Sequence, residues 1–393
     1  MTDTETLRRR IAGFVESRIL PVEADRANWD DHGNIRLDVL DGLREQAKSA
    51  GLWAPQMPVA RGGLGVNVAA MATLYEEMGR SIFGPVCFNC AAPDDGNMIV
   101  LEKVGTEDQK RDWLQPVVDG RVRSAFAMTE PAPGAGSDPA MMRTTAVRDG
   151  DDWVIRGRKW FITGAAEAAH FILIARTSDD PRRGLTAFLF HRDDPGWRIL
   201  RRIPIMGPEE HGGHCELEFD GLRIPDRHRL LGEGDGLKLT QIRLGTARLT
   251  HCMRWTGMAK RALEIAAARV AGRESFGQRL ADREGVQWML GEAALAVQTG
   301  RHLTMDAARL LDTGDFARKE VSMAKIVVAD ALHKAVDTAI QLCGAQGYSG
   351  DTVLEWMYRY ARQARLVDGA SEVHKMVLAR ALLAKGRDFW RPL

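Results

Sequence analysis

Between residues 123 and 232 the apolar residues stop recurring at helical spacing and fall into short β-branched and aromatic runs. "WVIRGRKWFITG", "HFILIART" and "LTAFLF" are separated by "RDGDDW", "SDDPRRG" and "RDDPGW". Such runs, bounded by Gly, Pro and Asp clusters, predict a small antiparallel β domain with tight turns. The separators leave no room for crossover helices, which excludes a parallel nucleotide-binding sheet. This zone limits what the rest of the chain can build, because both flanks read as helical.

On the N-terminal flank, candidate helices run near Thr4–Leu20, Leu37–Ala50, Val68–Gly79 and Asn97–Gly120, with Pro21 expected to close the first and Gly51 the second. "GLWAPQMPVARGGLGV" (Gly51–Val66) is rich in Pro and Gly and reads as a loop. On the C-terminal flank, Val321, Ala324, Val328, Leu332, Ala335, Ala339 and Leu342 recur at helical spacing and form one apolar face. Long helices of this kind pack side by side as a bundle. The expected architecture is α+β: an N-terminal α-helical domain over 1–122, a central antiparallel β domain over 123–232 and a C-terminal four-helix bundle over 233–393.

A net charge of +1 offers no general attraction to nucleic acid or an anionic membrane, and no apolar run approaches a membrane span. "MTDTETLRRRIAGF" lacks an apolar signal core and reads as the first turns of a helix. Five scattered cysteines fit a reducing compartment, so a cytoplasmic location is expected. Cys87 and Cys90 form the one C-x-x-C, and "HGGHC" groups His211, His214 and Cys215. Neither has the partner cluster a metal needs, so no metal is expected.

Two stretches carry chemistry. In "AFAMTEPAPGAGSDP" (Ala125–Pro139), Thr129 and Ser137 offer hydroxyls, and Gly134-Ala135-Gly136 leaves backbone N–H groups little shielded. Such a loop can cradle a phosphate or aim donors at a heterocycle, and it can equally be a plain Pro/Gly loop. It is not a dinucleotide fingerprint, since Pro139 stands where the third glycine belongs. "RLVDGASEVHK" (Arg365–Lys375) holds Asp368 before Gly369. On local grounds Asp368 is either a turn device or the base of an active site.

"AMTEP", "GAGSD", "KWFITGA", "RESFGQRL", "QLCGAQGY" and "DGASEVH" occur in an order and at intervals that resemble the acyl-CoA dehydrogenase superfamily, in particular a subgroup with aspartate as the base. The resemblance covers nearly the whole chain. It implies FAD bound between the β domain and the bundle and across a subunit interface. Met128 and Thr129 match residues lining the flavin ring, and Ser137 matches a hydroxyl near the pyrophosphate and the acyl-CoA entrance. Phe161, Ile162 and Thr163 match a Trp-Ile-Thr segment whose threonine sits beside flavin N5, with Phe161 replacing the tryptophan and Trp160 next to it. Arg273, Phe276 and Gln278 match the segment that reaches a neighbour's FAD, where an arginine fork suits pyrophosphate. Gln341, Gly344 and Ala345 match a second-subunit adenosine contact, Ala345 replacing a glycine. Pro131-Ala132-Pro133 makes the first loop longer than the family's form.

By the same resemblance Asp368 falls at the catalytic base. The alternative position used by some relatives matches Ala247, which has no acid–base group. Gly369 adjoins the base, and Arg248 matches an arginine near it; both are assigned to the substrate side. The implied reaction has Asp368, desolvated by Leu366 and Val367, remove the α-proton of an acyl-CoA while hydride leaves the β-carbon for the flavin. The implied partners are an acyl-CoA, an electron-transfer flavoprotein and copies of the chain, as a tetramer. A flavin oxidase or monooxygenase resembling nitroalkane oxidases, or a silent FAD-binding paralogue, are the rival readings.

Overall fold

The computed structural model describes residues 3–390, which fold as two compact units. Among the described residues, one gathers 3–52, 66–88 and 248–390; the other gathers 53–65 and 89–247. The helix Gly236–Gly272 contains the division at 247/248.

The second unit is built on eight strands: β1 (Arg123–Ala127), β2 (Thr145–Asp149), β3 (Asp152–Thr163), β4 (Ala168–Arg176), β5 (Leu185–His191), β6 (Trp197–Arg202), β7 (His214–Pro225) and β8 (Arg229–Leu230). Their order is β6-β7-β3-β2-β4-β5-β8, with β1 beside β4. The expected hairpin texture holds for β2–β3 and β4–β5, which pair antiparallel. The sheet as a whole is mixed, because β1–β4 and β2–β4 run parallel. The β2–β3 hairpin lies in sequence between β1 and β4 and serves as the crossover, so no helix is needed there.

The apolar runs of β4 and β5 are continuous because both faces are buried. Phe171 and Leu173 of β4, with Phe188 and Phe190 of β5, enter an aromatic core with Trp153 and Phe219. The alternate residues Ile172, Ile174, Ala187 and Leu189 pack on the other face with Trp53, Met98, Trp113 and Leu114. The period-2 rule thus sorts one run into two cores. On the second face, the helix expected over Asn97–Gly120 is two helical stretches, Asp94–Val104 and residues 107–118. Thr106 starts the second with a reciprocal Thr106–Gln109 capping box, which satisfies backbone N–H groups that the break exposes.

The first unit is mainly helical, with one short two-stranded hairpin. Its N-terminal helix continues past Pro21 to Ala24, with a π-turn over Val15–Ile19. Pro21 sits at the first positions after that turn, where an intrahelical N–H is not required, so it does not end the helix. Helices Leu37–Ser49 and Val68–Met78 follow close to expectation. Helix Glu284–Asp312 packs on Arg318–Cys343, which also carries Leu354–Gln363 and Ser371–Lys385. All seven residues of the anticipated apolar face, Val321 to Leu342, are buried. Asp312 accepts from Val68 N (2.7 Å) and Ala69 N (2.9 Å), so a carboxylate from a distant helix caps the N-terminus of Val68–Met78.

Candidate active site

Two clusters hold the chemistry, one in each unit. In the helical unit, Asp368 lies in the short turn between helices Leu354–Gln363 and Ser371–Lys385. Its backbone is left-handed (φ +52°), as is that of Gly369 (φ +98°). For a residue with a side chain this region is disfavoured, so surrounding contacts must hold it. Arg248 Nε donates to the Asp368 carbonyl at 2.7 Å. His251, one helical turn further on, places Nε2 3.4 Å from Asp368 Oδ2. A Cβ on residue 369 would come within 3.1 Å of His374 Nε2, so glycine lets the turn lie against that ring.

The ring of side chains around the carboxylate is largely cationic and aromatic. Arg254 Nη2 lies 3.2 Å from His251 Nδ1. A guanidinium only donates, so Nδ1 accepts and the neutral imidazole carries its proton on Nε2, the atom facing Asp368. His251 stacks on Trp255 at 4.9 Å, and Lys325 Nζ lies 5.1 Å from the Trp255 ring while donating to Ala364 O at 2.7 Å. Burial lowers the pKa of Lys325, with Asp368 acting in the opposite sense. His374 is pushed down to about 4, by burial first and then by Arg248 and Lys325, so it is neutral near pH 7. Leu366, expected to dry the acid, is 57% exposed; Asp368 Oδ2 is nonetheless buried, beside His251. The aspartate turn and the arginine were visible in the sequence. His251 and Lys325 were not, although "ARLTH" sets His251 three residues after Arg248, the spacing of one helix face.

In the β unit, the ends of β1 and β3 converge. Trp160 N donates to Thr129 O at 2.9 Å, so Met128 and Thr129 lie beside the end of β3. Glu130, missed in the sequence, organises the loop that follows. It is buried and accepts from Arg143 N (2.7 Å), Thr144 N (2.8 Å), Ala135 N (3.2 Å) and Lys159 Nζ (2.8 Å). Lys159 also donates to Met128 O at 2.9 Å. Burial would raise the Glu130 pKa, but Lys159 and the backbone donors bring it down to about 2. Complete burial lowers Lys159 in turn. The pair is an internal ion pair that fixes both strand end and loop.

A bulge in β3 between Lys159 and Ile162 turns Phe161 outward. Phe161 has φ +51° and is 44% exposed, whereas Trp160 is half-buried and edge-on to it at 4.9 Å. Of the two rings, Phe161 presents the accessible surface. Ile162 is buried, and Thr163 Oγ1 lies 3.0 Å from His214 Nδ1 on β7. His214 Nε2 is in turn 3.0 Å from Glu210 Oε2. Ser137 is exposed, and neither its hydroxyl nor that of Thr129 has a hydrogen-bond partner among the described residues. Beyond Gly136 a Cβ would meet nothing within 4 Å. An exposed ring, free hydroxyls and an open glycine suit a flat heterocycle with a polar tail.

The remaining expected residues stand in the helical unit. Arg273, Phe276 and Gln278 lie on or beside a two-stranded hairpin, Glu274–Ser275 against Gln278–Arg279. Phe276 and Gly277 both have positive φ, as a two-residue hairpin turn requires, and Phe276 is 97% exposed. Gln341, Gly344 and Ala345 are exposed at the end of helix Arg318–Cys343, with Gly344 at φ +62°. No group of three or more His, Cys, Asp or Glu able to hold a metal occurs among the described residues.

The helical, β and helical segments, in this order, define a chain with the acyl-CoA dehydrogenase fold. Three family models match in sequence: an acyl-CoA dehydrogenase N-terminal domain over residues 1–121, a middle domain over 125–222 and a C-terminal domain over 234–383. Acyl-CoA dehydrogenase family member 11 of Gallus gallus is 39% identical over 386 residues, covering 94% of this chain and 49% of its own length. A Mycobacterium tuberculosis protein described as acyl-CoA dehydrogenase FadE2 is 38% identical over 392 residues, 96% of this chain and 95% of that one. A solved Mycobacterium abscessus structure described as an acyl-CoA dehydrogenase has a TM-score of 0.91 and 37% identity, covering 98% and 99% of the two chains. The chain belongs to the acyl-CoA dehydrogenase family. It spans about half the length of the animal relatives it matches. No helix among the described residues is long and apolar enough to cross a membrane.

Proposed function

We propose that this chain is an FAD-dependent acyl-CoA dehydrogenase that forms an α,β-enoyl-CoA. Asp368 is the base that takes the substrate's α-proton, with Arg248 and Gly369 on the substrate side. Met128, Thr129, Ser137, Phe161, Ile162 and Thr163 hold the flavin, and Arg273, Phe276, Gln278, Gln341, Gly344 and Ala345 complete an FAD site on a neighbouring copy. FAD supplies the hydride acceptor when bound. An electron-transfer flavoprotein is the proposed reoxidant.

The observation that supports this reading best is the setting of Asp368. A turn-only aspartate needs neither an arginine on its carbonyl at 2.7 Å nor an imidazole facing its carboxylate at 3.4 Å. His251 Nε2 lies 3.4 Å from Oδ2, so the imidazole faces the carboxylate that is to receive the proton. Arg248 Nε grips the Asp368 carbonyl and so fixes the turn that carries the acid. Phe161 and Thr163 offer the flavin one face and one hydroxyl, and Glu130 with Lys159 keeps the supporting loop rigid.

The test is anaerobic mixing of the FAD-loaded protein with a panel of acyl-CoAs, read by loss of flavin absorbance. The parent is expected to bleach with at least one of them. Asp368→Asn is expected to bind FAD and fold as the parent does but to bleach on the order of 10²–10⁴-fold more slowly, the usual worth of a general base. Bleaching at the parent's rate in that variant would return Asp368 to a turn role.

A further inference from the structure

"HGGHC" falls outside the chemistry assigned above and holds no metal cluster, yet it folds into a built arrangement. Gly213 N donates to Glu210 O (2.8 Å), and Gly212 and Gly213 take φ +80° and +57°. A Cβ on either glycine would collide, at Gly212 with the Gly164 carbonyl and at Gly213 with the Arg202 side chain. Gly164 N donates to Gly213 O at 2.7 Å, which docks the turn on the end of β3. The result brings Glu210 back to His214 and His214 onto Thr163, as a line of carboxylate, imidazole and hydroxyl with two 3.0 Å contacts.

We propose that His214, backed by Glu210, is a positioning residue that sets the direction of the Thr163 hydrogen bond toward the flavin. The proposal rests on the reading that Thr163 faces flavin N5. A carboxylate only accepts, so His214 Nε2 keeps its proton in both charge states and Nδ1 is the atom that changes. With His214 neutral, the Thr163 hydroxyl donates to Nδ1 and shows only lone pairs outward. With His214 protonated, Nδ1–H donates to Thr163 Oγ1, and the hydroxyl proton is released to point outward. Oxidised flavin N5 only accepts, whereas reduced N5 carries a hydrogen and donates. Protonated His214 therefore matches the oxidised flavin, and neutral His214 matches the reduced one. On reduction His214 Nδ1 gives its proton to Thr163 Oγ1 as the outward hydroxyl proton is released to solvent, while Nε2–H stays facing Glu210; the two electrons come from the substrate or, in a titration, from the added reductant.

The groups facing His214 are Glu210 and Glu209, which favour its cation, and Arg202, which opposes it and is itself paired with Glu209. Burial also opposes the charge, yet the balance raises the pKa above its ordinary value. The cation of His214 is thus favoured in the oxidised protein, and a change on reduction acts on that balance.

The test is a spectroelectrochemical titration of the flavin midpoint potential in the holoprotein, from about pH 5 to 9, the range in which histidines titrate. The slope of potential against pH counts the protons taken up on reduction. The parent is expected to show a window in which that count falls by one. Thr163→Val and His214→Gln should each remove the window, and Glu210→Gln should move it to lower pH. A single straight slope in the parent, or a window that survives in either Thr163→Val or His214→Gln, would overturn the proposal. If the parent bound no FAD at all, the flavin assignment would fall and this one with it; FAD binding with a straight slope removes the relay alone.

Discussion

At the residue scale, Glu130 and Lys159 show how a site can depend on groups that never meet the reactants. Both are almost fully buried, and each cancels the other's charge. Removing one partner of such a pair leaves a bare charge inside, at a cost of about 3–5 kcal/mol. Lys159→Met is therefore expected to lower the melting temperature well beyond an ordinary surface change, and to loosen the loop that carries Thr129 and Ser137. Adding Glu130→Gln should recover part of that loss, because the uncompensated charge disappears. Acid should act on the same bond. The Glu130 pKa is about 2 when folded against an ordinary value of 4.5. A depressed carboxylate contributes stability that is fully present above its unfolded pKa and is lost as pH falls toward the folded one. Melting temperatures should drop between about pH 4.5 and 2 in the parent and drop less in Glu130→Gln, read by calorimetry across that range.

At the element scale, the helical unit depends on close backbone contact. Helix Val68–Met78 and the C-terminal part of Gly236–Gly272 meet through two glycines, and a Cβ on Gly257 would strike the Glu76 carbonyl while one on Gly79 would strike that of Arg254. Overpacking of this kind costs about 1–3 kcal/mol or more, since a backbone cannot move aside as a side chain can. Gly257→Ala should therefore destabilise. Gly42→Ala is the opposite case: it lies in helix Leu37–Ser49 with nothing within 4 Å of a new Cβ, and should stabilise by about 0.5–1 kcal/mol. Thermal melts of the two variants should shift in opposite directions. These contacts mark where the sequence stops being readable. The apolar face from Val321 to Leu342 and the short apolar runs of β4 and β5 are local patterns, and they were legible. The π-turn before Pro21, the break at Thr106 and the parallel pairing of β1 with β4 depend on which segments meet, which no single window contains. The same division holds in the site. Asp368, Thr163 and Phe161 stand in motifs, while His251, Lys325 and Glu130 gain their roles from contacts made by other parts of the chain.

At the scale of the whole molecule, the helical unit carries more exposed apolar surface than a monomer needs. Trp288 (62% exposed) and Leu295 (69%) are seven residues apart on helix Glu284–Asp312, so they lie on one face, and Phe276 stands almost fully exposed at its hairpin tip. Exposed large apolar residues that share one helix face suit an interaction surface. Under the proposed reading a second copy of the chain would cover them together with the exposed Arg273 and Gln341. We therefore expect a homo-oligomer, with a tetramer as the specific expectation and one FAD held non-covalently per subunit. Light scattering coupled to size exclusion should report the assembly, and flavin absorbance its occupancy. Leu295→Glu places a charge on the apolar face and should shift the distribution toward smaller species. Phe276→Asp should lower FAD retention on dilution, because the hairpin would no longer close a neighbour's site. A parent that runs as a stable monomer with full FAD occupancy would show that the hairpin and the helix face serve some other contact.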